Sequence, residues 1–361
     1  MNKPRARDLG IPFDGNPGAM NAITDVPGVL VGHDTLIAGQ GALEVGKGPI
    51  RTGVTAILPS GGKLEPLFAA WYALNGAGEI TGTTWMEESG LLQSPIMLTN
   101  TFSVGEVATA VHTWGLQKMD QVIWPPVVAE TYDGYLNDIR GMHVKQEHAW
   151  AALDRAASGP VAEGNAGGGT GMICHGFKGG IGTASRCLEA QDGGYTLGVL
   201  VQANHGDRQD LRIAGIPAGV ELAEQPEETE TTDDTAPTSS IIVVVATDCP
   251  LLPHQLKRLA RRVPLGIGIV GGRGKTYSGD IFLAFSTASL EQQNELGIQQ
   301  VEMYPNQKMN VLFNAVVQAT EEAIVNALIA ADTMEGINRY TVHALPHKPL
   351  QDLLRRHGRL V

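Results

Sequence analysis

At 361 residues the chain exceeds the usual size of one domain yet stays within reach of a single large layered αβ unit. Hydrophobic residues make up 43% of it and charged residues 18%, which excludes a disordered chain and provides for a substantial core. The net charge of −12 excludes a nucleic-acid backbone as main partner, because phosphate neutralisation needs clustered bases, and 12 bases against 10 acids from Ser240 onward leave the acidic excess before that residue.

Three cysteines, Cys174, Cys187 and Cys249, are odd in number and lack metal-ligand spacing, so we expect a reducing, cytoplasmic compartment and no metal. Lys3, Arg5 and Arg7 open the chain, but no apolar run of signal-peptide length follows before Pro12 and Gly15. No stretch approaches the roughly 18 apolar residues of a membrane span, so no membrane partner is expected.

In chain order, Ile23–His33 and Gly53–Leu58 read as strands, Leu67–Leu74 as a buried helix, and Val104–Met119 as a helix. Gln121–Val128 is strand-like, Glu147–Ala157 helical, Asn165–Gly182 glycine-rich, and Tyr195–Asn204 a strand. From Glu221 to Asp234 there are seven acids and no bases, running into Thr, Ala and Pro, so residues 221–239 are expected to form an acidic flexible linker. Ser240–Asp248 then begins with a hydroxyl and continues with five β-branched residues, the pattern of a strand buried on both faces. Leu251–Val263 reads as an amphipathic helix, Asp280–Ser286 as a strand, and Leu312, Val316, Ile324 and Leu328 as one stripe of a long helix.

Several familiar signatures fail. A phosphate loop ending at Lys275-Thr276 needs Gly where Ile269 stands, and Gly266–Gly271 matches GxGxxG only formally, with no clear strand before it. His143, Glu147 and His148 miss the zinc-helix spacings. Lys257, Arg258, Arg261 and Arg262 read as a polar helix face in preference to an anion site. No GxSxG nucleophile elbow occurs.

What remains is the Ser239-Ser240 junction, where a polar segment runs into a core strand. A serine there can attack the carbonyl before it, and hydrolysis of the ester leaves a residue with both a hydroxyl and an α-amine of pKa about 7.7–8.0, a nucleophile and its own base. The residues alone read first as a loop-to-strand boundary, ahead of a nucleophile.

SIIVVVATDCPLLPHQLKRLARR from Ser240, with SGDIFLAFST from Ser278, resembles the DmpA-type aminopeptidases, self-processing hydrolases that include the β-peptidyl aminopeptidases and the L-aminopeptidase/D-amidase/esterases. The resemblance takes in ITDVPGVLVGH near the start, VVAETYDGYLND, GNAGGGTGM, GVLVQANHG and AVVQATEEAIVNAL, and so spans nearly the whole chain. It implies an α+β fold, an Ntn-hydrolase-like αββα sandwich with the connectivity shared with the ornithine acetyltransferases. It further implies one domain over residues 1–361, cut into an α chain of residues 1–239 and a β chain of residues 240–361, roughly 25 and 13 kDa.

By the same resemblance Ser240 is the nucleophile, Ser278 and Asp280 relay its proton, Asn204 donates to the oxyanion, Glu130 holds the substrate ammonium, and Tyr132 packs against the substrate. Relatives can carry Glu where Asp280 stands, and the shorter side chain changes the reach of the relay. On their own signals Asn204 also reads as a strand cap, Asp280 and Glu130 as turn carboxylates, Tyr132 as a half-buried aromatic, and Gly167–Gly169 as either oxyanion donors or a loop. Ser239 is a second hydroxyl at the junction, so cleavage after Thr238 is the alternative to cleavage after Ser239. Expected partners are small peptides, amides or esters, the protein's own α and β chains, and further copies in a homo-oligomer, with no cofactor. The alternatives are an acyl transferase like the ornithine acetyltransferases and an inactive small-molecule-binding homologue.

Overall fold

Ten strands form two sheets in the computed structural model, which describes residues 3–222, 239–288, 290 and 297–360. They are β1 (Leu30–Ala38), β2 (Ile50–Leu58), β3 (Leu67–Gly76), β4 (Leu91–Leu92), β5 (Ile96–Asn100), β6 (Val127–Thr131), β7 (Gly180–Cys187), β8 (Thr196–Asn204), β9 (Ser239–Thr247) and β10 (Ser278–Ser286). One sheet runs β1-β2-β5-β6 and the other β4-β3-β10-β9-β8-β7. Neighbours are antiparallel except for two parallel pairs, β5 with β6 and β9 with β10.

The helices are α1 (Thr83–Ser89), α2 (Val104–Trp114), α3 (Gln146–Asp154), α4 (Pro253–Ala260), α5 (Val263–Val270), α6 (Asn310–Ile329) and α7 (His347–Arg356), beside shorter turns. Strand β9 shows why the sheets stack. Ile242, Val244 and Ala246 meet Ile57, Leu98 and Ala129 of the four-stranded sheet, while Ile241, Val243 and Val245 meet Leu256 of α4 and Val316 and Ile324 of α6. On the far face of the smaller sheet, Val54, Met97 and Val128 pack on Val107 and Val111 of α2 and Leu153 of α3. The layers are helix, sheet, sheet, helix, the expected αββα sandwich.

The segment expected as a buried helix, Leu67–Leu74, is strand β3. Its period of two is hidden because both faces are apolar: Leu67, Ala69, Trp71 and Ala73 face the inter-sheet core, and Phe68, Ala70 and Tyr72 face the helices. Two strand boundaries also shift. Ile23–Asp25 is a 3₁₀ turn tied by Asp25 Oδ2 to Ala22 N (3.0 Å), so the first strand starts only at Leu30, and the strand expected at Gln121 starts at Val127.

The GxGxxG segment lies in α5, where a Cβ on Gly266 would meet Thr320 Cβ at 2.7 Å; the glycine serves close helix packing. The basic residues of α4 and the turn after it are a polar face: Lys257 pairs with Glu87, and Arg258 and Arg262 lie over the Phe313 ring at 5.0 and 3.9 Å. Of the expected acidic linker, residues 223–238 lie outside the described residues, and Glu221 ends a one-turn helix, Ala218–Glu221.

Candidate active site

Three strands of the larger sheet bring the junction serines to one end of the sandwich. Strand β9 starts there, β10 starts beside it in parallel, and β8 ends there. The register sets Ser239 opposite Ser278, Ser240 opposite Gly279, and Asn204 opposite Ser240. Ser240 is 2% exposed. Its Oγ donates to the Ser239 carbonyl oxygen at 2.6 Å and thus lies against the peptide bond that joins the two serines.

Ser278 and Asp280 are two residues apart on β10, so their side chains share one face. The Ser278 hydroxyl donates to Asp280 Oδ1 at 2.6 Å and stands 3.2 Å from Ser239 Oγ. The shorter carboxylate therefore reaches Ser278 directly. Asp280 Oδ2 accepts from Asn75 Nδ2 at 3.1 Å, at the end of β3. Burial pushes the Asp280 carboxyl above its ordinary range, against the opposing pull of the bonds from Ser278 and Asn75. The Ser239 hydroxyl also accepts from Gly206 N at 3.4 Å. Within the described residues it is Ser239 that touches the Ser278–Asp280 pair, while Ser240 faces the Ser239 carbonyl.

Asn204 is fixed at both ends of its amide. Oδ1 accepts from Ile173 N at 2.8 Å and Nδ2 donates to the Tyr132 carbonyl at 3.0 Å, which leaves a second N–H on Nδ2. The second bond ties the larger sheet to the segment after β6, so Tyr132 arrives at the site through its backbone. That ring stands edge-on to Tyr135, 5.6 Å between centroids.

Glu130, on β6, is buried, and its carboxylate accepts from Glu79 N at 3.0 Å and from the Thr101 hydroxyl. Burial raises its pKa, and the bonds from Thr101 and Glu79 only partly offset this. Gly78 links it to the junction. A Cβ built on Gly78 would lie 3.1 Å from Glu130 Oε1 and 3.0 Å from the Cα of Gly279, the residue paired with Ser240. One backbone width thus separates the carboxylate from β10.

All the expected site residues, Ser239, Ser240, Ser278, Asp280, Asn204, Glu130 and Tyr132, converge on this end. The glycines of the 3₁₀ turn Gly167–Gly169 do not present free donors: their N–H groups go to Thr35 Oγ1 (2.8 Å), Thr55 Oγ1 (3.1 Å) and Ala166 O (2.9 Å). They are glycines for packing, since a Cβ on Gly168 would lie 2.2 Å from Gln202 Oε1. Sequence reasoning missed Asn75, Thr101 and Gly78. The only signal for Asn75 is its pairing with Asp280 across β3 and β10, which the helical expectation for that segment concealed.

Below Tyr132 a fully buried carboxylate, Asp133, accepts from Asn100 Nδ2 (3.1 Å) and Asn137 Nδ2 (3.0 Å). Burial pushes its pKa up to about 6.

Stacked sheets between helices, with a hydroxyl at the head of a central strand lying on its own preceding carbonyl, define a hydrolase of the N-terminal-nucleophile type. The sequence matches Peptidase family S58 over residues 21–342, and the chain belongs to that family. It is 56% identical to the beta-peptidyl aminopeptidase BapA of Sphingosinicella microcystinivorans, over 99% of this chain and 93% of that one. Among solved structures it is similar to the beta-aminopeptidase of a Burkholderia species, with 49% identity, TM-score 0.88, and 98% and 99% of the two chains covered. It is equally similar to the L-aminopeptidase D-Ala-esterase/amidase of Ochrobactrum anthropi, a variant of the Ntn-hydrolase fold, with 47% identity, TM-score 0.89, and 99% and 100% covered. The protein is accordingly a hydrolase with aminopeptidase and amidase function. No helix among the described residues is long and apolar enough to cross a membrane.

Proposed function

We propose that this chain is one αββα domain that cuts itself before Ser240, and that the resulting α chain of residues 1–239 and β chain of residues 240–361 act together as a serine aminopeptidase and amidase. The observation that carries the proposal is the Ser240 hydroxyl, buried and 2.6 Å from the oxygen of the Ser239 carbonyl.

In the cut, Ser240 Oγ attacks the Ser239 carbonyl carbon, the C–N bond breaks, and the hydroxyl proton passes to the Ser240 nitrogen. Water then hydrolyses the ester, leaving a Ser239 carboxylate and a Ser240 α-amine. The anchoring of the Ser239 hydroxyl by Ser278 and Gly206 supports Ser240, not Ser239, as the attacking residue.

In turnover, Ser240 Oγ attacks the substrate carbonyl and its own amine takes the proton. The Ser278–Asp280 pair relays it. The second N–H of Asn204 meets the oxyanion, a type of donor whose removal costs about 10²–10³ in rate. Glu130, whose carboxyl is raised by burial, gains in a substrate ammonium the cation that would restore its charge. Tyr132 packs against the same end of the substrate.

Substrates are small peptides, amides or esters with a free amine, and the names of the relatives favour β-amino N-termini among them. Three cysteines without a disulfide support the reducing, cytoplasmic setting. A homo-oligomer of αβ units remains part of the proposal. Intact-mass measurement under denaturing conditions tests it: fragments of roughly 25 and 13 kDa are expected, scaled from length, with a single 38.2 kDa chain in Ser240→Ala. One uncut chain in both proteins would overturn it.

A further inference from the structure

Behind Asn204 sits a group of side chains that the proposed chemistry leaves unused. Cys174 ends the first strand of a small hairpin, Ile173–Cys174 with Phe177–Lys178, His175 follows it in the turn, and His205 follows Asn204 at the end of β8. All three are buried, at 0%, 0% and 4% exposure. The hairpin is pinned to β8 by His175 N, which donates to the His205 carbonyl at 2.7 Å. The Cys174 sulfur and one ring nitrogen from each histidine lie within 4.8 Å of one another.

The hydrogen bonds of the two rings are incomplete in a telling way. His175 Nδ1 is 3.0 Å from the Asp207 carbonyl, which can only accept, so Nδ1 carries the proton and Nε2 carries a lone pair. That Nε2 has no partner among the described residues, and neither has Nε2 of His205. His205 Nδ1 faces Cys174 Sγ at 3.8 Å. The orphaned His175 nitrogen, buried in one group with a second imidazole nitrogen and a thiol, calls for an occupant.

We infer that Cys174, His175 and His205 form a binding site for a thiophilic metal cation, with zinc as the best match. Sulfur with two imidazoles selects zinc, cobalt or cuprous copper over magnesium or calcium. Bond lengths of about 2.3 Å to sulfur and about 2.0–2.1 Å to nitrogen place tetrahedral ligands about 3.6 Å apart, close to the Cys174–His205 separation. The Asp207 carbonyl on His175 Nδ1 is the outer hydrogen bond that metal-bound histidines ordinarily have. Backbone walls the site: a Cβ on Gly206 would lie 2.3–2.6 Å from the His175 ring, and one on Gly272 would lie 3.2 Å from His205 Nε2. On binding, the cation replaces the Cys174 thiol proton, which is released to solvent.

The site has a structural consequence that is separate from the proposed chemistry. A cation would clamp the hairpin to the segment that bears Asn204 and Gly206.

The test uses full-length protein stripped with a chelator in reducing buffer and titrated with Co²⁺. A thiolate-to-cobalt absorption band saturating at one equivalent is expected, displaced by Zn²⁺, lost in Cys174→Ala and in His205→Ala, and kept in Cys249→Ala. Zn²⁺ should also raise the melting temperature of the wild type by several degrees where Mg²⁺ does not, a readout that needs no variant to fold. Absence of the band, its survival in Cys174→Ala, its loss in Cys249→Ala, or an unchanged melting temperature with Zn²⁺ would each overturn the inference.

Discussion

Asn75 and Asp280 are joined side chain to side chain across the β3–β10 ladder, Nδ2 to Oδ2 at 3.1 Å, while Ser278 takes the other carboxylate oxygen. Asn75 therefore decides which way Asp280 presents itself to Ser278. Replacing Asn75 with Ala should slow both self-cleavage and kcat by roughly 10- to 100-fold, the worth of a hydrogen bond to a charged group, and leave KM little changed. Fragment appearance followed over time, beside steady-state kinetics, checks this; wild-type rates would rule the orienting role out.

In the proposed mechanism Glu130 serves only substrates that carry an ammonium, and the uncut precursor presents none at the junction. Glu130→Gln keeps an oxygen to accept from Glu79 N and puts an amide N–H where the Thr101 hydroxyl, turned round, can accept, so it should process normally yet raise KM for free-amine substrates by about 10- to 100-fold, the cost of losing a charge-assisted bond. A processing defect as large as the KM defect would show that the carboxylate shapes the site generally.

Ser239→Ala separates the two junction serines. The variant loses the contacts to Ser278 and Gly206, so processing should slow by roughly 2- to 10-fold, in line with a neutral hydrogen bond. The β chain should still begin at Ser240, as read by N-terminal sequencing. Complete failure to cut would transfer the nucleophile to Ser239.

Gly78→Ala tests the spacing between Glu130 and β10. The added methyl would meet Gly279 Cα at 3.0 Å, tighter than ordinary contact, and must push the two apart by a few tenths of an ångström. Turnover of amine substrates should fall severalfold with the melting temperature nearly kept. Unaltered kinetics would show that the gap is slack.

Asp133 makes stability depend on pH in an unusual sense. Its carboxyl titrates at about 6 in the fold against 3.8 ordinarily, so between those values the native state holds more protons than the unfolded chain. Stability from this group is therefore lost as pH rises from about 4 to about 6, by about 3 kcal/mol for a shift of two units. In Asp133→Asn that component of the slope should vanish, with Asn100 Oδ1, which lacks a partner among the described residues, free to accept the new amide. Urea denaturation of both proteins at pH 4, 5, 6 and 7 measures it; parallel profiles would contradict the raised pKa.

The strands that carry Ser240, Ser278 and Asn204 were legible because each is a short apolar run whose polar residue falls at its end, where the core stops. Glu130 and Tyr132 were legible only through the motif around them. β3 was not, because a strand apolar on both faces has the composition of a buried helix, and with β3 went Asn75. Cys174, His175 and His205 escaped for another reason: metal spacing is sought along the chain, whereas His205 stands 31 residues from Cys174 and is brought to it by the hairpin.

The order of strands in the larger sheet bears on what a break before Ser240 would do. Going across the sheet, β4 and β3 precede the cut in sequence, β10 and β9 follow it, and β8 and β7 precede it again. The shorter fragment would thus supply the two middle strands, gripped on both sides by ladders from the longer one. Neither piece can leave without tearing the sheet along two seams, so the severed enzyme should survive dilution as a single unit, and the two polypeptides, once parted by denaturant, should rejoin only by refolding together.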